Sequence, residues 1–419
     1  MEEYILVEKG HPLAGEVQIE GAKNAVLPIM AASLLAKNNT IHLQRVPQLS
    51  DVETMAAVLS NLGAKVVRNG QHMHVEVPSI LQTQTPEHLV SKMRASVLVM
   101  GALLALEGKV SVVLPGGCAI GSRPLDIHLR GFEALGATVQ LSHGIIEASV
   151  DGRLQGAEFD LAFPSVGATE NLMIAASRAE GKTILRGVAK EPEIIDLANF
   201  LNAMGAQIHG AGTDTIEIMG VETLTACEYE ILPDRIEAGT FMIAAAITQG
   251  DVIIKNIIPD HLQPITAKLQ QLGAKITIGD DWIGVQGNKD YQAIDIKTGP
   301  HPNFPTDMQS PMLAILLCAD GVSTLTETIF ENRFMHVEEL NRMGAQIIVD
   351  GRTCIVTKQS LHGVRVKATD LRSAAGLVLA GLLADGETRI EKLYHLDRGY
   401  VDFVEKLQKL GAKISRHSS

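Results

Sequence analysis

Six stretches of this chain are apolar on nearly every side: about Asn24–Ala36, Ala95–Leu106, Thr169–Ala179, Ala238–Thr248, Gln309–Ala319 and Ser373–Ala384. A helix with no polar face belongs inside a protein rather than on its surface. After each comes a Gly or Asn break and a short apolar strand: Ile41–Leu43, Val110–Leu114, Thr183–Leu185, Val252–Ile254, Ser323–Leu325 and Thr388–Ile390. A more amphipathic helix follows and stops at one recurring phrase, Leu-Gly-Ala or Met-Gly-Ala. Two or three strands then lead to the next apolar helix. The phrase glycines are Gly63, Gly136, Gly205, Gly273, Gly344 and Gly411. Glycine there is the usual helix terminator. The even spacing of these glycines, a period of roughly 70, predicts one α/β supersecondary unit built six times.

The sixth unit is short at its end. Only Ala412–Ser419 follow Gly411, whereas the first unit continues from Gly63 as far as Arg94. The segment from Met1 to Lys23 supplies the difference. This predicts that the N-terminal strands, Tyr4–Val7 and Val17–Ile19, complete the sixth unit and that the chain is a closed ring cut inside one unit. Three units per domain gives a first domain at 22–231 and a second made of 1–21 and 232–419. A ligand cleft between domains is the expected site for such a layout.

Composition narrows the class. Hydrophobic residues make up 46% but aromatics only 4%, so the cores are aliphatic and small residues let helices approach closely. The longest apolar runs, about 11 residues, fall short of the roughly 20 that span a bilayer. A net charge of −12 argues against a nucleic-acid partner. Four cysteines lie far apart with no CxxC pair, which points to a cytoplasmic protein without a disulfide framework or zinc site. No P-loop, HExxH or dinucleotide fingerprint is present.

The polar residues that open the six buried helices carry the chemistry. The first half offers Lys23-Asn24, Arg94-Ala-Ser96 and Ser165-Val-Gly-Ala-Thr169. The second offers Asp234-Arg235, Asp307-Met-Gln309 and Asp370-Leu-Arg372. Helix N-termini suit anions. Asp, Ser and Asn are also the best caps, so any one of them alone could be only that. Six polar starts in register point instead to a shared site, with anion-binding groups on one wall and candidate bases on the other. One unit departs from the rest. From break to phrase, five units take nearly equal lengths of chain: Asn39 to Gly63, Gly181 to Gly205, Gly250 to Gly273, Gly321 to Gly344 and Gly386 to Gly411. The second, Gly108 to Gly136, is longer. Its excess falls in Pro115-Gly-Gly-Cys118-Ala-Ile-Gly-Ser-Arg123-Pro124. A cysteine among glycines in such a loop reads as a reactive group on a lid; Cys227, Cys318 and Cys354 read as structural.

These residues reach a known pattern. Gly21-Ala-Lys23-Asn24-Ala, the Cys118 loop, His301-Pro-x-Phe-Pro-Thr-Asp307-Met-Gln, Phe330-Glu-Asn-Arg333-Phe-Met-His and Tyr394-His-x-Asp-Arg398-Gly-Tyr resemble the bacterial UDP-N-acetylglucosamine enolpyruvyl transferases, of the EPSP synthase-like superfamily, over essentially the whole length. The resemblance implies a two-domain inside-out α/β barrel, three repeats per domain, helices within and sheets outside. It implies transfer of the enolpyruvyl group of phosphoenolpyruvate to the sugar 3′-hydroxyl with release of phosphate, the first committed step of peptidoglycan synthesis, hence roles in cell-wall biogenesis, cell shape and division. Cys118 takes the position of the proton donor and of the thiol alkylated by fosfomycin. Lys23, Arg123 and Arg398 take the phosphate positions, with Arg333 and Arg372 beside the carboxylate. The nucleotide-sugar positions are Asn24, Arg94, Arg123, Pro124, Leu125, Asp126, Ile127, Asp307 and Ile329, with His128 beside the uracil. Some members carry a lysine where this chain has Phe163, so diphosphate contacts there fall to Ser165, Val166 and Gly167. No cofactor or metal is implied.

Two local readings complete the picture. A thiol is mostly protonated at neutral pH and can donate. Among the aspartates, Asp234 and Asp370 have Arg235 and Arg372 close in sequence, whereas Asp307 has no such neighbour and is expected to be the freer base. Rival readings are the shikimate-pathway enolpyruvyl transferase, whose Gly-Ser-Lys-Ser start is missing here, an RNA 3′-phosphate cyclase, which the charge disfavours, and a catalytically weak regulatory paralogue.

Overall fold

The structure, a computed structural model, describes residues 3–90, 93–114 and 125–418. These residues pack as two compact units, one of 21–114 with 125–232 and one of 3–20 with 233–418.

The apolar stretches are buried helices. In the first unit they are Lys23–Ser33, Val99–Glu107 (preceded by a 3-10 turn, Arg94–Leu98) and Val166–Ala176. In the second they are Arg235–Ile247, Gln309–Leu316 (after the turn Thr306–Met308) and Leu371–Gly381. Each trio packs mutually within its own unit. The approach is close enough that a Cβ on Gly101 would lie 2.4 Å from Asn171 O, and one on Gly376 2.3 Å from Ser310 Oγ. The amphipathic helices stop where the phrase predicts: all six phrase glycines have positive φ, from 92° to 119°.

The sheets follow one wiring. The strand after a buried helix pairs antiparallel with the second strand of a hairpin, as Lys182–Arg186 does with Thr215–Met219, and buries alternate side chains. Its other edge takes a parallel strand from elsewhere in the chain. Glu158–Asp160 lies beside Lys182–Arg186, Glu228–Glu230 beside Thr40–Gln44, Asp295–Lys297 beside Val322–Thr326, and Arg365–Lys367 beside Glu387–Glu391. Beside Lys109–Val113 the contact is a single bridge, Gln84 to Ser111.

This wiring corrects one expectation. Glu3–Glu8 does complete the sixth sheet, between Glu387–Glu391 and Lys413–Ser418. The second N-terminal strand, Ala14–Gln18, does not join it; it runs parallel to Asp251–Lys255 in the fourth. The reason is the handing-on of edge strands. Every sheet takes its parallel edge from the preceding stretch of its own unit, and the last stretch returns to the first. The closure is therefore made separately in each unit rather than once around the chain.

Candidate functional site

In the second unit the sequence-predicted residues converge on Asp307. Arg333 Nη2 donates to its Oδ1 at 2.9 Å and Arg372 Nη2 to its Oδ2 at 3.1 Å. Asp307 lies in the 3-10 turn Thr306–Met308, Arg372 in the first turn of Leu371–Gly381, and Arg333 after the strand Val322–Thr326. The expectation that Asp307 is the freer aspartate is overturned: its carboxylate carries two guanidiniums. Asp370 does not hold the Arg372 guanidinium. Its Oδ1 accepts from the backbone N–H groups of Arg372 (2.9 Å) and Ser373 (3.1 Å), closing a capping box. Asp234 likewise caps Arg235–Ile247, accepting from Ile236 N and Glu237 N. The sequence neighbour misleads at Asp370 because the N-cap geometry turns its carboxylate toward the backbone while the Arg372 side chain leaves toward Asp307.

Arg372 is the most informative side chain of the cluster. It is 1% exposed, and its Nε and Nη1 make no well-formed hydrogen bond among the described residues, the Tyr400 hydroxyl being the near neighbour that acts on the guanidinium. Its guanidinium carbon stands 5.3 Å from the centre of the Tyr400 ring. Burial opposes its charge, but Asp307, Tyr400 and Asp234 outweigh burial and hold it more firmly protonated than an ordinary arginine. Buried N–H donors without acceptors are costly. A buried, charged guanidinium with unmet donors is a place for an anion.

The neighbours sharpen the electrostatics. Burial pushes Asp370 up, yet His336, Arg333 and the two backbone donors bring it below the usual aspartate value. His336, fully buried, is pushed down to about 4, chiefly by burial, so it is neutral near pH 7. Arg398 ends the 3-10 turn Leu393–Arg398, which also carries His395. Burial lowers the His395 pKa, Asp370 raises it, and Arg398 lowers it further. Ile329 follows the same strand as Arg333, its N–H given to Glu327 Oε1 at 2.8 Å.

In the first unit Lys23 opens its helix with its ammonium 2.7 Å from Asp51 Oδ2, both side chains nearly buried. Asn24 is the next residue of that helix. Arg94 begins the turn before Val99–Glu107. Ser165 caps Val166–Ala176, its hydroxyl accepting from Ala168 N at 3.3 Å, so Val166 and Gly167 occupy a half-buried first turn. Leu125, Asp126 and Ile127 lead into Asp126–Ala134, where Asp126 pairs with Arg130 at 3.0 Å. Phe163 is 44% exposed.

His128, on the same helix, ties these pieces together. Asn171 Oδ1 accepts from Gly101 N (2.8 Å), so its amide nitrogen faces Val97 O (3.0 Å) and His128 Nδ1 (3.1 Å). A donor needs an acceptor, so Nδ1 is bare and Nε2 carries the proton. A Cβ on Gly167 would sit 3.5 Å from that Nε2. Burial first, and then Arg94, lower His128 to about 4, against an opposing pull from Asp126. The result is a neutral imidazole beside the first turn of Val166–Ala176.

Cys118, Arg123 and Pro124 lie outside the described residues. The described cysteines are unlike a reactive thiol: burial pushes Cys227 and Cys318 up to about 11 and Cys354 to about 12. Among the described residues no group of three or more His, Cys, Asp or Glu is gathered for a metal. No described helix is long and apolar enough to cross a membrane. Sequence reasoning missed Asp51, Asn171 and Glu327, and quoted His336 only as the last residue of a motif, without a role. Asp51 looks like an ordinary acid in a helix first turn, Asn171 sits within an apolar run, and Glu327 directly follows a strand; nothing local marks these three.

The chain is similar to known proteins over nearly its whole length. The profile of the EPSP synthase (3-phosphoshikimate 1-carboxyvinyltransferase) family matches residues 7–407. UDP-N-acetylglucosamine 1-carboxyvinyltransferase 1 of Halalkalibacterium halodurans is 56% identical over 415 residues, covering 99% of this chain and 94% of the relative. The protein of the same name from Staphylococcus aureus is 54% identical, covering 98% and 99%. Among solved structures, the enolpyruvyl transferase NikO of Streptomyces tendae superposes with a TM-score of 0.90 at 24% identity, covering 100% of this chain and 99% of that one. EPSP synthase of Acinetobacter baumannii superposes at 0.76 with 18% identity, covering 100% of both chains. At those identities the two structures speak to the fold alone.

Proposed function

Because this chain belongs to the EPSP synthase family, we propose that it transfers the enolpyruvyl group of phosphoenolpyruvate to the 3′-hydroxyl of UDP-N-acetylglucosamine, releasing phosphate. It is a transferase, and the product is the sugar committed to peptidoglycan, which ties the enzyme to cell-wall growth, cell shape and division in the cytoplasm. The observation that carries the choice of acceptor is the 54–56% identity, end to end, with relatives named for that reaction. The architecture that accords with it is two three-repeat domains, 22–231 and 1–21 with 232–419, each with helices inside and sheets outside.

The reaction is an addition followed by an elimination. Cys118 gives a proton to the methylene of phosphoenolpyruvate, which makes the adjacent carbon electrophilic. The sugar hydroxyl attacks that carbon as its proton passes to Asp307. The new methyl group then returns a proton to the Cys118 thiolate as phosphate leaves with the proton that Asp307 took, which restores the double bond, the thiol and the carboxylate. Asp307 takes the hydroxyl proton as a carboxylate oriented by Arg333 and Arg372. Arg372 brings a buried guanidinium to the substrate carboxylate, with Arg333 beside it. Lys23, Arg123 and Arg398 neutralise the phosphate, the leaving group on which charge develops. Asn24, Arg94, Arg123, Pro124, Leu125, Asp126, Ile127, Ser165, Val166, Gly167, Asp307 and Ile329 bind the nucleotide sugar, with neutral His128 offering Nε2–H.

The test is phosphate release from phosphoenolpyruvate, offering UDP-N-acetylglucosamine or shikimate 3-phosphate. Release with the nucleotide sugar alone, abolished by fosfomycin through alkylation of Cys118, is the expected result. Release with shikimate 3-phosphate would transfer the chain to the sister activity, and no release with either would leave a regulatory paralogue.

A further inference from the structure

Glu327 belongs to none of the groups assigned above, yet it stands behind three of them. It follows the strand Val322–Thr326 and is 1% exposed. Its Oε1 accepts the Thr298 hydroxyl at 2.9 Å and the backbone N–H groups of Ile329 at 2.8 Å and Phe330 at 3.3 Å. Its Oε2 accepts the Thr306 hydroxyl at 2.9 Å. Thr306 Oγ in turn accepts from Arg333 Nη1 at 3.0 Å, while Nη2 of the same guanidinium reaches Asp307. A line of directed hydrogen bonds runs from Glu327 through Thr306 and Arg333 to Asp307 and Arg372.

We propose that Glu327 is a positioning residue that aims the Arg333 guanidinium, through the Thr306 hydroxyl, at the carboxylate of the three-carbon substrate. The direction of each bond is the argument. An ionised carboxylate only accepts, so Thr306 must spend its single proton on Glu327 and present a lone pair to Arg333. The hydroxyl between a carboxylate and a guanidinium is polarised from both sides, as charge-assisted bonds are. Two links on one guanidinium, Thr306 at one end and Asp307 at the other, fix its plane. The two loops that carry Asp307 and Arg333 are thereby locked to one buried carboxylate, which is how a rigid support holds a binding group in place. The inference rests on the proposed reaction for its readout but not for its geometry.

Glu327→Gln is the same shape and reverses the logic. The amide oxygen must face the three donors at Oε1, so the amide nitrogen faces Thr306. The Thr306 proton loses its acceptor, and the link to Arg333 no longer leads to a negative charge. Thr306→Val cuts the same line one step on. The experiment measures KM for phosphoenolpyruvate, KM for UDP-N-acetylglucosamine and kcat in wild type, both single variants and the double variant, with crystal structures of wild type and both single variants. Expected for each single variant is KM for phosphoenolpyruvate raised about ten-fold, the size of one lost hydrogen bond to a charged group. KM for the nucleotide sugar should hold within about two-fold, and the double variant should be no worse than the worse single, since both cut one line. The crystal structures should show Arg333 turned from its wild-type plane. Unchanged phosphoenolpyruvate KM, an equal rise for both substrates, or an unmoved Arg333 overturns the proposal. If Glu327→Gln does not fold, Thr306→Val carries the test. If wild type releases no phosphate, the proposed reaction falls instead, and the orientation of Arg333 in the variants still decides this inference.

Discussion

His128 shows how one side chain's surroundings set its behaviour. Held at about 4 in the fold, against about 6.5 in an open chain, it refuses a proton that the unfolded chain binds between those values. Stability is therefore fully present above pH 6.5 and falls as pH drops toward 4, by on the order of 3 kcal/mol for the whole shift. His128→Gln should remove that slope. The check is urea unfolding of both proteins from about pH 7 to about pH 4.5, reading the difference between them, because buried Asp196 and Glu237, raised to about 6 and about 7, slope the other way in both. The residue types of the site were legible in sequence, since Lys23, Asp307 and Arg372 stand at helix starts where polar groups interrupt apolar runs. Their pairing was not. Arg372 lies two positions from Asp370 but gives its guanidinium to Asp307, 65 residues away. Chain proximity says little about which charge a long side chain finds.

At the scale of elements, the buried helices depend on small residues as much as on apolar ones. Gly376 faces Ser310 so closely that an added methyl would meet Oγ at 2.3 Å and the carbonyl oxygen at 2.9 Å. Gly376→Ala gains helix propensity, yet overpacking should make it the less stable protein by about 1–3 kcal/mol. Thermal and urea midpoints check this, and an unchanged midpoint would mean that the trio of helices separates at little cost. Helix ends were readable because the signals are local: a glycine that takes positive φ stops each amphipathic helix whatever packs around it. Edge strands were not, because three residues such as Asp295–Lys297 carry too little pattern to say which sheet they join.

At the scale of the molecule, the first strand has a consequence for folding out of proportion to its length. Glu3–Glu8 lies inside its sheet, with Glu387–Glu391 on one side and Lys413–Ser418 on the other. A variant lacking residues 1–9 should lose the cooperative unfolding and protease resistance of 233–418 while 21–232 stays protected; equal protection of both would show the strand to be dispensable. The apolar helices, the strands after them and the glycine stops at residues 63, 136, 205, 273, 344 and 411 were determined by sequence, because apolar periodicity and glycine stops act over a turn or two of chain. Tertiary structure alone decided that Ala14–Gln18 joins the fourth sheet, that Asp307 is clamped by two arginines, and that Glu327 stands behind Thr306. Each of those is a meeting of groups remote in sequence, whose energy depends on distance and direction in space, and none of them is written in the order of residues.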